Sequence, residues 1–167
     1  NDAARLMVGE QGKTLPEAMG ELERARETLL WSAQQAAALC EAVRIDDRRT
    51  LLPQPFGIVA AFTPWNFPAV LTARKLAPAL AAGCPVILKA AEEAPAAPVA
   101  IVEALHEAGI PPGALALVCG DPPMISSHLL ASPHVRMLSF TGSTRVGKQL
   151  AARAAANLQT CVLELGG

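Results

Sequence analysis

A chain of 167 residues that is 51% hydrophobic has enough apolar side chain for one domain with a core, and is too apolar for intrinsic disorder. A net charge of −1 excludes a basic footprint for nucleic acid or for an anionic membrane surface. Pro, Gly or charge interrupts each apolar run before it is long enough to span a bilayer.

The opening "NDAARLMVGEQGK" has no long apolar segment, so no signal peptide is expected, and without an initiator Met the natural start is expected elsewhere. Residues 2–50 are rich in helix-forming Ala, Glu, Arg and Leu. Over 16–43, Leu22, Ala25, Leu29, Ala33 and Ala36 recur at helical spacing, with Pro16 suited to a first turn. Residues 44–55 are either a linker or a short edge hairpin, and a boundary falls near residue 50. Beyond it, strands are predicted over 56–62, 85–90, 114–120, 135–140 and 159–165. Helices are predicted over 68–83, 95–109, 123–132 and 143–157, with Gly83 and Gly109 as stops and a kink at Pro78. Near-continuously apolar strands alternating with helices imply an α/β fold: a Rossmann-like, doubly wound parallel sheet preceded by an N-terminal helical segment. Ligands of such sheets bind beyond the carboxyl ends of the strands.

The residues at those ends carry chemistry. In "FTPWNFP" (62–68), Asn66 is either a local turn or cap residue, or an amide stiffened by Pro64-Trp65 and Phe67-Pro68 and aimed at a developing oxyanion. Lys89 is either a solvated surface lysine or, with Glu92, a pair for the two hydroxyls of a ribose. "TGSTRVG" (141–147) reads as a glycine turn into a helix. Gly142 would admit a ligand close to the backbone, and Ser143 and Thr144 would cap a helix N-terminus that attracts anions such as a pyrophosphate. The alternative is a capped helix without a ligand. Glu164 is either a surface carboxylate or, desolvated by the apolar run before it, a group with its pKa raised toward that of a general base. Cys40, Cys84, Cys119 and Cys161 match neither a metal site nor a disulfide framework. They are expected reduced, partly buried and structural, which favours a cytoplasmic compartment.

"PWNFP" (64–68), "LKAAEEAP" (88–95), "SFTGSTRVGK" (139–148) and "LELGG" (163–167), in this order, resemble the NAD(P)-dependent aldehyde dehydrogenase superfamily. "EQGKTLPEA" (10–18) is similar to that family's N-terminal segment. The resemblance implies that Asn66 is the oxyanion-hole asparagine and Glu164 the general base. It implies that Trp65 lines the cofactor site, that Lys89 and Glu92 contact the adenosine ribose, and that Ser143 touches the pyrophosphate in a turn shaped by Gly142 and Gly147. It also implies a reaction in three steps. A cysteine thiolate attacks the aldehyde, hydride passes to the nicotinamide, and water activated by the glutamate releases the acid.

None of the four cysteines matches the family's nucleophile, which lies beyond the "LELGG" motif. Cys161 is expected on the strand face opposite Glu164. The chain is therefore expected to be a fragment: 1–50 an N-terminal helical segment with the start of an oligomerisation hairpin, 51–167 an incomplete cofactor-binding domain, and the catalytic cysteine domain absent. Alone it is expected to be inactive and to associate into homo-oligomers through an open edge and exposed apolar surface. Glu92 points to NAD rather than NADP. Stretches 71–84 and 119–143 look like the succinate-semialdehyde dehydrogenase branch, where Arg74 of "TARK" would bind a substrate carboxylate unless it is simply a solvent-facing helical arginine. The competing readings are a non-catalytic nucleotide-binding or subunit-association module, and a CoA-acylating relative that Glu164 argues against. The small-molecule partner is an aldehyde, with no nucleic acid, membrane or metal expected.

Overall fold

In the computed structural model, which describes residues 2–166, two helices precede the sheet: α1 (Asp2–Gln11) and α2 (Leu15–Leu39). A capping box starts α2: the Thr14 hydroxyl accepts from the Glu17 N–H, and the Glu17 carboxylate accepts from the Thr14 N–H at 2.8 Å. The helix stops at Leu39, four residues before the end of the predicted segment, and an antiparallel hairpin follows. This pairs β1 (Val43–Arg44) with β2 (Thr50–Leu51), so of the two readings for 44–55 the hairpin is the one observed.

The main sheet contains β3 (Ile58–Phe62), β4 (Val86–Lys89), β5 (Leu115–Val118), β6 (Val135–Ser143) and β7 (Thr160–Gly166). Its order is β5-β4-β3-β6-β7 and every pair is parallel. The chain builds outward from β3 in one direction and then returns to build in the other, so the topological switch point lies between β3 and β6. The crossovers contain α3 (Pro68–Ala81), α4 (Ala96–Glu107), α5 (Pro122–Ala131) and α6 (Thr144–Ala155). Alternation along β3 divides the core. Val59 and Ala61 face α3 and α4, together with Met7 of α1 and Ala18 and Ala25 of α2; Ala60 and Phe62 face Leu130 of α5 and Leu150 of α6. Small side chains at Ala18, Ala25, Ala69 and Ala73 allow α2 and α3 close approach.

The N-terminal helices are also fastened to the sheet layer through helix ends. Neither α3 nor α4 has a capping side chain at its own N-cap, Phe67 or Pro95. Glu21 of α2 accepts from the N–H groups of Ala69 and Val70, and Glu10 of α1 accepts from that of Ala96. Each carboxylate satisfies amides that a helix start leaves unpaired and meets the positive end of the helix dipole.

Two expectations change. β6 runs three residues beyond Phe140, so Thr141–Ser143 are strand paired with β7 rather than a turn. Cys40 and Cys119 are exposed, whereas Cys84 is buried and Cys161 half-buried; all four are free. Pro78 lies inside α3, where it withholds the N–H that would reach Arg74 O. Gly83 and Gly109 do close their helices, with φ of 75° and 91°. No helix among the described residues is long and apolar enough to cross a membrane, and no group of three or more His, Cys, Asp or Glu among them is placed to hold a metal.

Candidate active site

β3 ends at Phe62, and a loop carries Trp65 and Phe67 into solvent at 57% and 46% exposure. Between them, the Asn66 Oδ1 accepts from the Phe67 N–H at 3.1 Å. The side-chain carbonyl is thus spent on its own loop, and the amide group has no partner among the described residues. Asn66 does not cap α3, whose N-cap is Phe67. The local-turn reading therefore holds for its oxygen, and its NH2 is available to a ligand. The backbone is held from the N-terminal segment: Lys13 donates to Asn66 O at 3.2 Å, and Gln11 donates to Trp65 O.

Across from this loop, β6 and β7 run side by side, with Thr141 opposite Glu164. The Thr141 hydroxyl donates to Glu164 Oε2 at 2.7 Å. Glu164 is exposed, so the apolar run before it does not desolvate it; alternation half-buries Leu163 against the α6 side and leaves Glu164 on the open face. Asn66, Trp65, Gly142, Ser143 and Glu164 line one cleft of about 660 Å³ at the carboxyl ends of β3, β6 and β7. Ser143 caps α6 by accepting from the Val146 N–H, and its own hydroxyl proton remains free to donate.

The two glycines act through packing. Gly142 is in strand, and a Cβ there would run into the Phe140 ring. Gly147, buried in the first turn of α6, would place a Cβ 2.5 Å from Leu165 Cδ2, so its small size lets the end of β7 lie against the helix. It does not line the cleft.

Lys89, at the end of β4, has a side chain only 6% exposed and forms an ion pair with Glu92 at 2.7 Å. It is not a solvated surface lysine. Its pocket, about 280 Å³, lies between α5 and α6 and includes Thr63, Ser126, Arg145 and Gln149. Arg145, Gln149 and Arg153 all line this pocket. Sequence reasoning missed them, although their four-residue spacing on one helical face was the available signal.

Arg74 is exposed on α3 and has no carboxylate partner among the described residues. It lies apart from Asn66, on a third pocket of about 280 Å³ shared with Phe56, Pro78 and Glu164. Its neighbour Lys75 is buried and donates to Ser139 Oγ at 3.1 Å. Burial pushes the Lys75 ammonium pKa down, and the negative charge of Glu164 partly opposes this. A lysine at an apolar position of a helix was the sequence signal for it. Cys161 does lie on the face opposite Glu164, packed with Leu163, and burial pushes its thiol pKa up, away from thiolate character.

A glutarate-semialdehyde dehydrogenase of Pseudomonas putida is 44% identical over 171 residues, which cover 100% of this chain and 36% of that protein. A succinate-semialdehyde dehydrogenase of Escherichia coli, named for NADP(+), is 42% identical with the same coverage. The crystal structure of a succinate-semialdehyde dehydrogenase from Burkholderia pseudomallei superposes with a TM-score of 0.93 at 42% identity, over 99% of this chain and 35% of that one. The chain thus spans about a third of the length of the relatives it matches. The profile of the aldehyde dehydrogenase family matches residues 1–167, and with the four motifs standing at the carboxyl edge of this sheet, the chain belongs to that family.

Proposed function

We propose that this chain supplies the cofactor-binding part, and two of the catalytic groups, of an NAD(P)-dependent dehydrogenase that oxidises a semialdehyde to the acid. The observation that carries the reading is the cleft at the switch point, which Asn66, with its side-chain amide free, and Glu164 both line. The donor set suits a dinucleotide: the Ser143 hydroxyl at the α6 N-terminus for a pyrophosphate, and the Lys89–Glu92 pair for a ribose. When bound, the cofactor accepts hydride. The Asn66 Nδ2H2 group holds negative charge on the aldehyde oxygen, and Glu164, fixed by Thr141, takes a proton from water to release the acyl group. Trp65 forms a wall of the cleft. The cysteine nucleophile lies outside these residues in this reading, because none of the four cysteines lines the cleft.

We assign residues 1–50 as a helical segment and hairpin, and residues 51–167 as the cofactor domain. We place the protein in the cytoplasm on its four free cysteines. We read it as a homo-oligomer on the exposed Val43, Leu51, Leu52 and Phe56 at and after the hairpin and on β7 as an outer strand. Glu92 favours NAD, since a carboxylate accepts a hydrogen bond from a 2′-hydroxyl and repels a 2′-phosphate; the NADP(+) in one relative's name sets the opposing expectation, with Lys89 neutralising that phosphate. The semialdehyde names of the relatives suit Arg74, a guanidinium unpaired among the described residues, at a pocket that Glu164 also lines.

The test is a titration of the chain, in a Trp31→Phe background, with NAD and NADP while following Trp65 fluorescence. Saturable quenching by NAD, weaker by NADP, supports the reading; no response to either nucleotide overturns it. In the active dehydrogenase, Asn66→Ala is expected to lower kcat by about 10²- to 10³-fold.

A further inference from the structure

Glu21 has no exposed surface, and a buried carboxylate must be matched by partners. It has three. Oε2 receives the Lys13 ammonium, and Oε1 receives the N–H groups of Ala69 and Val70 at 2.8 and 3.2 Å. The Lys13 ammonium also donates to Asn66 O at 3.2 Å and stands over the Phe67 ring, 5.0 Å from its centroid. One ion pair therefore touches the loop at two consecutive residues and the helix turn that follows it.

We propose that Lys13 and Glu21 are positioning residues for Asn66, acting from outside the cleft; the proposal rests on the oxyanion role of Asn66 given above. The loop has little else to hold it: its two rings are exposed, and α3 has no cap of its own. Glu21 fixes the first turn of α3. Lys13, oriented by Glu21, fixes the Asn66 carbonyl and the Phe67 ring, and Gln11 holds the carbonyl of Trp65. The main torsion left is that of the Asn66 side chain, and its oxygen is engaged by the Phe67 N–H, which leaves the amide free at a residue that lines the cleft. An oxyanion donor works only if it is held in place before charge develops, and that requires support from residues behind it. Glu10 is the internal contrast: it caps α4 in the same way but reaches no residue of the loop, so it serves structure alone.

The test uses the 15N-labelled chain. Lys13→Met with Glu21→Gln removes both charges together and keeps an oxygen for the two α3 amides. The expected result is a Phe67 amide that exchanges with water about tenfold faster, the loss of roughly one hydrogen bond of local stability. The Asn66 side-chain NH2 signals also shift, while β3 amides stay protected. Lys13→Arg restores both signals, and Glu10→Gln moves neither. Unchanged Asn66 and Phe67 signals in the double variant overturn the proposal. If that variant does not fold, the native chain decides. The Lys13 ammonium must give its own 15N–1H signal, slowed relative to exposed Lys148, and a Lys13 that exchanges like Lys148 overturns the proposal. Turnover of Asn66→Ala in the active dehydrogenase tests the oxyanion role separately, so a brace that shows in exchange while turnover is unaffected removes that role and not the brace.

Discussion

The ammonium of Lys89 and the carboxylate of Glu92 meet at 2.7 Å, with the lysine side chain 6% exposed and the glutamate 38%. A buried ammonium offers three donors, and Glu92 takes one. The lysine also lines the pocket between α5 and α6, where its remaining donors can serve a ligand. Replacing Lys89 with Met keeps most of the buried stem and removes the charge. The Kd for NAD is expected to rise about tenfold, the loss of one charge-assisted hydrogen bond. Titration by Trp65 fluorescence reads this directly, and an unchanged Kd removes Lys89 from the cofactor site.

Glu92→Gln separates the two cofactors. The amide is neutral, so repulsion of a 2′-phosphate disappears while Lys89 stays positive. NADP is expected to bind about tenfold tighter than to the native chain, and NAD no tighter. Both titrations belong at one ionic strength, because a phosphate is screened more strongly than a hydroxyl. Equal effects on the two nucleotides would show that Glu92 does not face the 2′ position.

The strands were legible because each is a short apolar run between Gly, Pro or charge, and the parallel sheet followed from their alternation with helices. The extension of β6 was not legible. Thr141, Gly142 and Ser143 have turn-like composition, and only pairing with Glu164, Leu165 and Gly166 of β7 makes them strand. Asn66 was visible because its constraint is local, in the bulky residues on either side. Glu21 and Glu10 were not, since their partners lie 48 and 86 residues away and no local pattern marks such a cap. The choice between a surface and a desolvated Glu164 stayed open in the sequence for a related reason: its strand is outermost in the sheet, so an apolar neighbour in sequence does not cover the next side chain.

Two glycines should respond in opposite directions to the same methyl group. Gly142→Ala forces a Cβ into the Phe140 ring, which is itself core, and is expected to destabilise by about 1–3 kcal/mol. Gly9 sits in α1 with nothing within 4 Å of a built Cβ, so Gly9→Ala is expected to stabilise by about 0.4–1 kcal/mol by restricting the unfolded chain. Urea unfolding of the two variants beside the native chain checks both signs. A neutral Gly142→Ala would mean that Phe140 can turn aside, and Gly142 would then have no packing role.

Lys75 sets a dependence of stability on pH. Its ordinary pKa is 10.5 and burial lowers it in the folded chain, with Glu164 partly opposing. Between the lowered value and 10.5 the unfolded chain keeps a proton that the folded chain has released. Stability rises with pH wherever the unfolded state binds more protons, so the native chain gains stability across this window. Below the lowered pKa both states are protonated and Lys75 contributes no slope. Lys75→Met lacks the group, keeps a stem of similar length, and leaves the Ser139 hydroxyl to find another partner. The variant is therefore expected to lose part of any advantage over the native chain as pH rises through the lowered pKa toward 10.5. Paired urea midpoints at matched pH measure the difference, which cancels the titration of every other group. A difference that stays constant across the window would show that Lys75 titrates alike in both states, and that its burial is relieved in solution.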